Sequence, residues 1–535
     1  MHIHPRSIAH KAFDVWRIPG RFTKNPDIIE LPSGRLMLIF ADTDSHWSQE
    51  NQILTLLASD DRGRTWFHHR DIDHADLRKG DERFCTPRLS RLNDGRLVVI
   101  IDHDDYGHFH EDQSPGNWLY WSDDDGETWS EAKKPAILGF EPDRIQDLPD
   151  GRLGVGSHVM RGESQEFAVI LSCSDDGGET WYEAATVAHN GYHRVCEGAI
   201  VQLDNSDAVG GKELACILRE NHHAGQPSFV TFSQDSGRTW SPVQMCPFAL
   251  DRPYGKQLPD GRVFVSGRHV NGPLGTYGWC GDLKAEAGTY QIGGPRRKYS
   301  ASLDDGALVI DNLPGHEARY CLLPPESVRS EVHLEATLKV DGRPGEAAAF
   351  LSLSQFGTVL NIAVDGIWSR LGADFRHPVD MSDYRTITIH HRRGLMQIQV
   401  DGQTVINHCI FREGFPIGDS RRAGSLGGYT QFGQPQAGGR SFWRRLSFRS
   451  QNPTLDDHAW SWDASSGDYP DQYQQQRMIQ IHGNHPEQPT WPDHGYSSWL
   501  MLDNGQIMWV DYTNYGDPAG CAHLVGVFID PEDLA

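Results

Sequence analysis

Ionisable and phenolic side chains recur at the ends of paired apolar segments along this sequence. Carboxylates, imidazoles, guanidinium groups and phenols transfer protons and bind anionic groups, so side chains that converge on one pocket could perform acid–base or nucleophilic chemistry. One set stands at the start of the first segment of each pair: Asp27, Arg88, Asp143, Arg144, Glu197, Asp251, Arg252 and Tyr496. A second set follows the second segment: Asp42, Asp44, His46, Asp102, His103, Asp104, His158, Arg161, Arg219, His222, Arg268, His269, Asp511 and Tyr512. Their recurrence favours a polar pocket over solvated loops.

The elements that would position these side chains are marked by an octapeptide that occurs four times. It reads SDDRGRTW (59–66), SDDDGETW (122–129), SDDGGETW (174–181) and SQDSGRTW (233–240), and each copy follows a short apolar strand. The pattern predicts a hairpin turn in which the Asp accepts turn N–H groups, the Gly takes a positive φ and the Trp packs between sheets. Four copies at intervals of about 50–65 residues indicate a repeated β unit.

A second repeat interleaves with the octapeptide and occurs six times. It consists of an apolar strand, a turn that usually contains Gly, and another apolar strand, as in PDIIELPSGRLMLIF, PRLSRLNDGRLVVII and YSSWLMLDNGQIMWV. Each copy pairs with an Asp-containing hairpin to give a four-stranded antiparallel blade, which is the unit of a β-propeller. The inner strands of a propeller surround one axis, so the side chains at their ends are expected to meet at one mouth.

The spacing of the second repeat also predicts an insertion. The fifth and sixth turns are about 240 residues apart, so about 160 residues lie inside or after the fifth blade. Residues 295–450 lack the octapeptide and read as alternating strands, among them QIQVDGQTVIN, which resembles hairpins of concanavalin-like and laminin-G-like jelly rolls. We predict an all-β chain: blades one to five over residues 1–294, an inserted β-sandwich over 295–450, and propeller completion with the last blade over 451–535.

Four such octapeptides on a six-blade period resemble the Asp boxes of the sialidase (neuraminidase) superfamily, over about residues 12–290 and 455–531. Within the resemblance, CEGAIVQL…ACILREN implies that Glu197 is the sialidase glutamate and Arg219 the second arginine of the carboxylate-binding triad. HGYSSWLMLDNGQIMWV implies that Tyr496 is the nucleophile. Sialidases use tyrosine because a carboxylate nucleophile would be repelled by the substrate carboxylate. The glutamate takes the phenolic proton.

The other two arginines of the implied triad have several candidates. Arg17 stands in an Arg-Ile-Pro sequence, as the first arginine does in the family, but about seven extra residues separate it from the turn at Gly34. The alternatives for this position are Lys24, Asn25 and Arg21. The third arginine is expected to be Arg268 or Arg252.

The general acid implied by the resemblance is an Asp ahead of the first Asp box, which is Asp44, with Asp42 as the alternative. A protonated carboxyl there would need a raised pKa, which burial supplies. The chain has 27 His, several of which are expected at the pocket rim. The predicted substrate-binding set is completed by Arg88, Arg144, His103 and His158.

The composition limits the kinds of partner that the protein is expected to bind. A formal charge of −24 disfavours nucleic acid, which requires clustered Lys and Arg. No apolar run approaches the roughly 20 residues of a membrane helix, and the start lacks the apolar region of a signal peptide, so we expect a cytoplasmic protein. Nine Cys without CxxC spacing indicate reduced thiols, and no fixed-spacing ligand set indicates a metal. We expect no cofactor; the sequence does not predict the oligomeric state.

Three functions are compatible with these features. The first is an exo-acting glycoside hydrolase on an acidic sugar, such as a sialic acid. The second is a polysaccharide lyase on uronic-acid chains, in which an Arg neutralises the carboxylate while Tyr496 or a His moves the proton at C5. The third is a propeller that binds carbohydrate without turnover.

Overall fold

The computed structural model describes residues 4–104, 116–161, 166–189, 193–221, 227–271, 273–294, 301–312, 317–323, 329–353, 358–369, 375–409, 430–436, 438–453, 456–484 and 492–535. The first part of the chain contains β1 (Phe13–Trp16), β2 (Phe22–Glu30), β3 (Leu36–Thr43), β4 (Asn51–Ser59), β5 (Phe67–Asp76), β6 (Arg83–Phe84), β7 (Arg88–Arg91), β8 (Leu97–Asp104), β9 (Asn117–Ser122), β10 (Gln146–Asp147), β11 (Leu153–Arg161), β12 (Glu166–Ser174), β13 (Tyr182–Ala188), β14 (Val195–Asp204), β15 (Lys212–Glu220), β16 (Phe229–Ser233), β17 (Gln244–Met245), β18 (Asp251–Gln257), β19 (Val263–His269), β20 (Gly275–Gly281) and the short helix α1 (Leu283–Glu286).

The middle and last parts of the chain are also mainly strands. The middle part contains β21 (Ala301–Asp304), β22 (Ala307–Asp311), β23 (Ala318–Leu322), β24 (Glu331–Asp341), β25 (Ala349–Leu353), β26 (Thr358–Ala363), β27 (Gly366–Ser369), β28 (Phe375–Pro378), β29 (Arg385–Arg392), β30 (Leu395–Val400), β31 (Gln403–Cys409), β32 (Thr430–Gln434), β33 (Arg440–Gln451) and β34 (His458–Asp463). The last part contains α2 (Gln472–Arg477), β35 (Met478–Gly483), β36 (Ser498–Met501), β37 (Ile507–Thr513) and β38 (His523–Ile529). No helix in the described part of the chain is long and apolar enough to cross a membrane.

Six antiparallel four-stranded sheets form the blades. Strands β2–β5, β6–β9, β10–β13 and β14–β17 make the first four blades, β18–β20 are completed by β35, and β36–β38 are completed by β1. An apolar core joins each blade to the next. A sixth core, which includes Phe22, Leu38, Tyr496 and Met508, joins the last blade to the first. The ring is therefore closed, and the predicted six-bladed β-propeller is confirmed.

The four octapeptides form the predicted hairpin turns. In the first, Asp61 accepts hydrogen bonds from Thr65 N at 2.8 Å and Thr65 Oγ1 at 2.6 Å. Gly63 has φ = +88°, and its carbonyl accepts a hydrogen bond from the indole of Trp66 at 3.0 Å. The Thr contacts recur around Asp124, Asp176 and Asp235. These side chains therefore stabilise the outer hairpin turns of the first four blades.

The residues between β20 and β35 form two larger sheets. One sheet has the order β21-β22-β33-β24-β29-β30-β31, with β34 paired to β33, and the other has the order β23-β32-β25-β26-β27-β28. Side chains of both sheets share one core. The larger sheet extends to Asp463, past the predicted boundary at residue 450, and β35 then completes blade five. The three-domain division and the likeness to concanavalin-like sandwiches stay predictions.

Candidate active site

Tyr496 and Glu197 meet at the mouth of the propeller. Tyr496 stands just before β36 of blade six, and Glu197 lies in β14 of blade four. The phenol Oη of Tyr496 donates a hydrogen bond to Glu197 Oε1 at 2.8 Å and lies 3.2 Å from Glu141 Oε1. Glu141 precedes β10 of blade three, so the three groups, called here the Tyr–Glu cluster, come from three blades.

The backbone at the start of the inner strands is unusual. Glu141, Glu197 and Arg252 have φ of +48°, +47° and +48°, and these residues belong to three successive blades. A non-glycine residue in the left-handed region costs about 1–3 kcal/mol, and such residues concentrate at functional sites. Gly495, with φ = +94°, is required before Tyr496 because a Cβ there would lie 2.4 Å from the Cβ of Arg268.

The two carboxyl groups of the Tyr–Glu cluster differ in their pKa. Burial and the neighbouring charge of Glu197 raise the pKa of Glu141 well above its usual value. Burial also opposes the charge of Glu197, but Arg219, the hydrogen bond with Glu141 and the charge of Arg252 together outweigh burial and lower the pKa of Glu197. Burial and both carboxyl groups raise the pKa of Tyr496. The directions of these shifts place the proton of the carboxyl pair on Glu141 and leave Glu197 as its ionised partner beside a neutral phenol.

Two arginines flank the Tyr–Glu cluster and retain access to the pocket. Arg219 Nη1 donates to Glu197 Oε1 at 2.6 Å, and its Nη2 lies 3.4 Å from Asp251 Oδ2. The Nε of Arg268 donates to the carbonyl of His494 at 2.6 Å, and its Cζ lies 5.3 Å from the ring centre of Tyr496. Both arginine side chains are 16% exposed, which leaves each able to reach a ligand.

Arg252, Arg88 and Arg144 are built into the scaffold. Arg252 donates to the carbonyls of Glu141 and Pro142 at 3.0 and 2.9 Å, so it holds the backbone of the cluster. Arg144 Nε donates to the buried Asp27 Oδ2 at 2.9 Å. Arg88 Nη1 lies 3.6 Å from Asp27 Oδ1, and burial with the charge of Arg252 lowers the pKa of Arg88 to about 10.

Arg88 and Arg144 form a layer of ion pairs across the propeller axis instead of the predicted substrate contacts. Beyond this layer a cavity of about 640 Å³ continues along the axis, lined by the far halves of the inner strands. Arg144, Tyr254 and Lys256 line it, and Tyr496 and Glu197 do not. The layer thus separates the axial cavity from the Tyr–Glu cluster.

The predicted role of Arg17 is not supported. Its guanidinium contacts Asp14 at 3.2 Å and Asp517 at 3.3 Å, beside the edge strand β1 of blade six. Of the alternatives for this position, Arg21 is paired with Asp42 at 2.7 Å. The Arg-Ile-Pro sequence therefore lies directly after the outer strand β1, where the extra residues before the Gly turn displace it.

Asp44 lies directly after β3. Its carboxylate accepts hydrogen bonds from the Ser48 hydroxyl and from the backbone N–H groups of Gln49 and Glu50, the last two at 3.1 Å. Burial opposes the charge, but these contacts outweigh burial and lower the pKa of Asp44. Asp44 thus caps the loop that follows β3, and its role as the general acid stays a prediction.

The two predicted histidines are buried and neutral. Burial lowers the pKa of His158 to about 3, and its Nδ1 lies 3.4 Å from the backbone N of Glu197. His158 thus supports the Tyr–Glu cluster from below. Burial lowers the pKa of His103 to about 2, and its ring stacks on Trp118. His103 packs against this indole, and its role in substrate binding stays a prediction.

Glu141 is the functional residue that the sequence patterns missed. The first set of ionisable residues began at Asp143 in blade three, two positions too late. A usable signal was present: Glu141 precedes Pro142, as Asn25, Thr86 and Arg252 precede prolines at the same point of other blades. The residue before this proline is the one that points toward the mouth in blades three and five.

The arrangement can activate a phenol and deliver a proton. An ionised carboxylate in contact with a neutral phenol is a general base for a nucleophile, and a protonated carboxyl beside them is a general acid. Two guanidinium groups can hold an anionic group next to the phenol. Among the described residues, no three His, Cys, Asp or Glu side chains are grouped to hold a metal ion.

Comparisons with known proteins agree with the propeller. Residues 111–272 match the family model described as a BNR repeat-like domain. A sialidase from Paraclostridium sordellii is 21% identical over 269 residues, which are 44% of this chain and 60% of that protein. The match thus covers less than two thirds of that relative.

Solved structures give weaker similarity. A mutant of Trypanosoma rangeli sialidase displaying trans-sialidase activity has 10% identity and a TM-score of 0.37, over 83% of this chain and 96% of that one. An α-L-arabinanase from Penicillium chrysogenum, complexed with arabinobiose, has 15% identity and a TM-score of 0.38, over 56% of this chain and 93% of that one. The fold assignment rests on the sheet topology and the sequence matches.

Proposed function

We propose that this chain, a member of the sialidase superfamily with BNR repeats, is a glycoside hydrolase that removes an acidic sugar such as a sialic acid. One observation carries the proposal: the 2.8 Å hydrogen bond from Tyr496 Oη to the ionised Glu197, between Arg219 and Arg268. This arrangement supplies a nucleophile, its base and two carboxylate-binding groups in one pocket.

The two arginines would bind the carboxylate of the sugar. Guanidinium groups pair with carboxylates through two parallel hydrogen bonds, and such pairs are strong where water is excluded. Arg219 is already shared with Glu197 and Asp251, so Arg268 would carry the larger part of a new charge. The bound carboxylate would hold the anomeric carbon near Tyr496.

The Tyr–Glu cluster would then carry out two displacements. In the first, Tyr496 Oη bonds to the anomeric carbon, its proton passes to Glu197, and Glu141, which lies beside the nucleophile, gives its proton through a bridging water to the leaving oxygen as the glycosidic bond breaks. In the second, water attacks the anomeric carbon and gives a proton to Glu141 by the same route, while the phenolate leaves and recovers its proton from Glu197. The net reaction adds one water across the glycosidic bond.

The closeness of the two carboxyl groups supports a tyrosine nucleophile. In glycosidases that use two carboxylates, these groups stand about 5–5.5 Å apart in retaining enzymes and about 6.5–9.5 Å apart in inverting enzymes. Glu141 and Glu197 are in hydrogen-bond contact, which leaves no room for an anomeric carbon between them. Tyr496, which touches both, is then the group that faces the substrate.

The experiment follows two products at once. Purified protein and a Tyr496→Phe variant would be incubated with sialosides and uronate oligosaccharides, with Tyr182→Phe on an exposed outer strand as the matched control. Release of an acidic sugar, lost with Tyr496→Phe and kept in the control, supports the proposal. New near-ultraviolet absorbance from an unsaturated uronate would identify a lyase instead. Binding without either product would identify a carbohydrate-binding propeller.

A further inference from the structure

The loop after β3 presents the most exposed large apolar side chain in the described part of the chain. Trp47 is 62% exposed, whereas the exposed fractions of the other large apolar residues in this part range from 41% to 48%. Tryptophan combines a large apolar ring with a polar N–H group and is enriched at interfaces for that reason. Two features bear on whether this indole binds a ligand: where Trp47 lies relative to the candidate active site, and which residues hold its ring in place.

The loop that carries Trp47 is held in one shape. Asp44 accepts hydrogen bonds from the Ser48 hydroxyl and from the backbone of Gln49 and Glu50, so the loop closes on its own carboxylate. Ser48 is fully buried, and the side chain of Gln49 donates to the carbonyl of Trp47 at 3.0 Å. The indole is therefore presented by a fixed backbone, which limits the entropy lost when a ligand binds.

The neighbouring residue, His46, anchors this loop to the candidate active site. Its Nδ1 lies 2.6 Å from Asp493 Oδ2, three residues before Tyr496, and its carbonyl accepts a hydrogen bond from Lys24 at 2.7 Å. The other oxygen of this carboxylate, Asp493 Oδ1, lies 3.7 Å from Arg268 Nη2. Trp47 thus lies at the rim of the pocket that contains Arg268.

Two described residues support one side of the indole, and 62% of Trp47 is exposed. The guanidinium carbon of Arg83 lies over the Trp47 ring at 5.7 Å from its centre, and His46 meets the ring edge-on at 5.1 Å. Arg83 is itself buried. A cation on one face fixes the ring plane and leaves the opposite face for an apolar surface.

We infer that Trp47 binds the leaving-group part of the substrate: the open face of its indole stacks on the C–H face of a neutral pyranose linked to the acidic sugar. The inference rests on the proposed function. The acidic sugar occupies the arginine pocket over Tyr496, so the next sugar extends outward past the rim. A pyranose has one apolar face that matches an aromatic ring, and its removal from water favours binding.

The test compares two substrates that share the acidic sugar. Sialyllactose has a neutral disaccharide as its leaving group, whereas methyl sialoside has no ring beyond the acidic sugar. Trp47→Ala should raise KM for sialyllactose about tenfold, the size of one lost apolar contact, with kcat and the constants of the methyl sialoside changed less than twofold. Trp47→Phe should restore most of the affinity. Phe67→Ala, an exposed aromatic on the outer strand of the same blade, should match the wild type.

A direct measurement separates the two hypotheses. Saturation-transfer NMR with lactose requires no turnover, and the signal should be present in the wild type, weaker with Trp47→Ala and retained with Phe67→Ala. If sialosides are hydrolysed but Trp47→Ala changes neither KM nor the lactose signal, the inference is wrong and the proposed function stands. If no sialoside is hydrolysed but the lactose signal depends on Trp47, the proposed function fails and the binding surface stands. Absence of any lactose signal overturns the inference.

Discussion

Replacement of Glu141 by glutamine tests the proton that this carboxyl is expected to hold. The ionisable groups that face it are Glu197, Tyr496, Arg252, Asp102 and His158, whose Nε2 lies 4.0 Å from Glu141 Oε2. Burial and the charge of Glu197 raise its pKa, and Arg252 only partly opposes them. Glutamine keeps the shape of a protonated carboxyl and its hydrogen bonds but has no proton to give to the leaving oxygen.

The size of the effect should depend on the leaving group. Loss of a general acid lowers kcat by about 10²–10⁴-fold, which is about 3–5 kcal/mol of transition-state stabilisation. We expect Glu141→Gln to lose this much on sialyllactose, whose leaving oxygen needs the proton, and less than about tenfold on an aryl sialoside, whose leaving group is already acidic. The wild type should lose activity as pH rises through the raised pKa of Glu141, and this alkaline limb should be absent in the variant.

Steady-state kinetics on both substrates from pH 4 to pH 10 would measure both effects. Glu30→Gln is the matched control, because Glu30 also has a pKa raised by burial but lies at the far end of the axis, against the axial cavity. We expect wild-type kinetics from this control. Full activity of Glu141→Gln on sialyllactose, with the alkaline limb unchanged, would refute the assignment of Glu141 as the acid.

Three further predictions concern other parts of the molecule. Gly495→Ala should lower both Tm and activity because its Cβ would meet Arg268 at 2.4 Å. Gly34→Ala is the control: Gly34 also has positive φ but no neighbour within 4 Å, so this substitution should cost only the backbone strain of about 1–2 kcal/mol. Thermal melting and kinetics separate the two variants. Arg219→Met should raise the pKa of the carboxylate base beside it and move the acidic limb of the pH–rate profile to higher pH. Asp176→Ala should lower Tm and leave KM unchanged. In the wild type, hydrogen bonds lower the pKa of Asp176 to about 2, so its stabilisation is present above pH 4 and is lost as pH falls through 2.

The propeller could be predicted from the sequence because its signals are local. Each octapeptide specifies its own turn: Asp61 and Thr65 bond across four residues, and Gly63 supplies the positive φ between them. One octapeptide alone would be a weak indication, but four copies at a regular spacing predict a repeated blade and therefore a propeller. The point where the inserted sheets leave blade five could not be located as well, because the pairing of β20 with β35 joins segments about 200 residues apart and has no local marker.

The candidate site was predicted only in part. Tyr496 and Glu197 were paired through resemblance, and they are in contact although 299 residues separate them. Arg88 and Arg144 were expected in the pocket, yet they pair with Asp27 on the axis. A shift of one or two residues along an inner strand decides whether a side chain points into the pocket or toward the propeller axis. β-bulges at the starts of these strands cause such shifts, and the sequence does not reveal where the bulges lie.

These shifts also explain how a strained backbone can hold the reacting groups. Glu141 and Glu197 have left-handed φ, and the carboxylate two residues after Glu141, Asp143, accepts a hydrogen bond from Ile200 N of the next blade at 2.7 Å. Asp27 binds Leu89 N in the same way between blades one and two. Each of these hydrogen bonds fixes its strand immediately below the mouth. The strained residues above it therefore cannot relax by rotation of the chain. These buried carboxylate–backbone hydrogen bonds therefore hold the inner strands in place beneath the Tyr–Glu cluster.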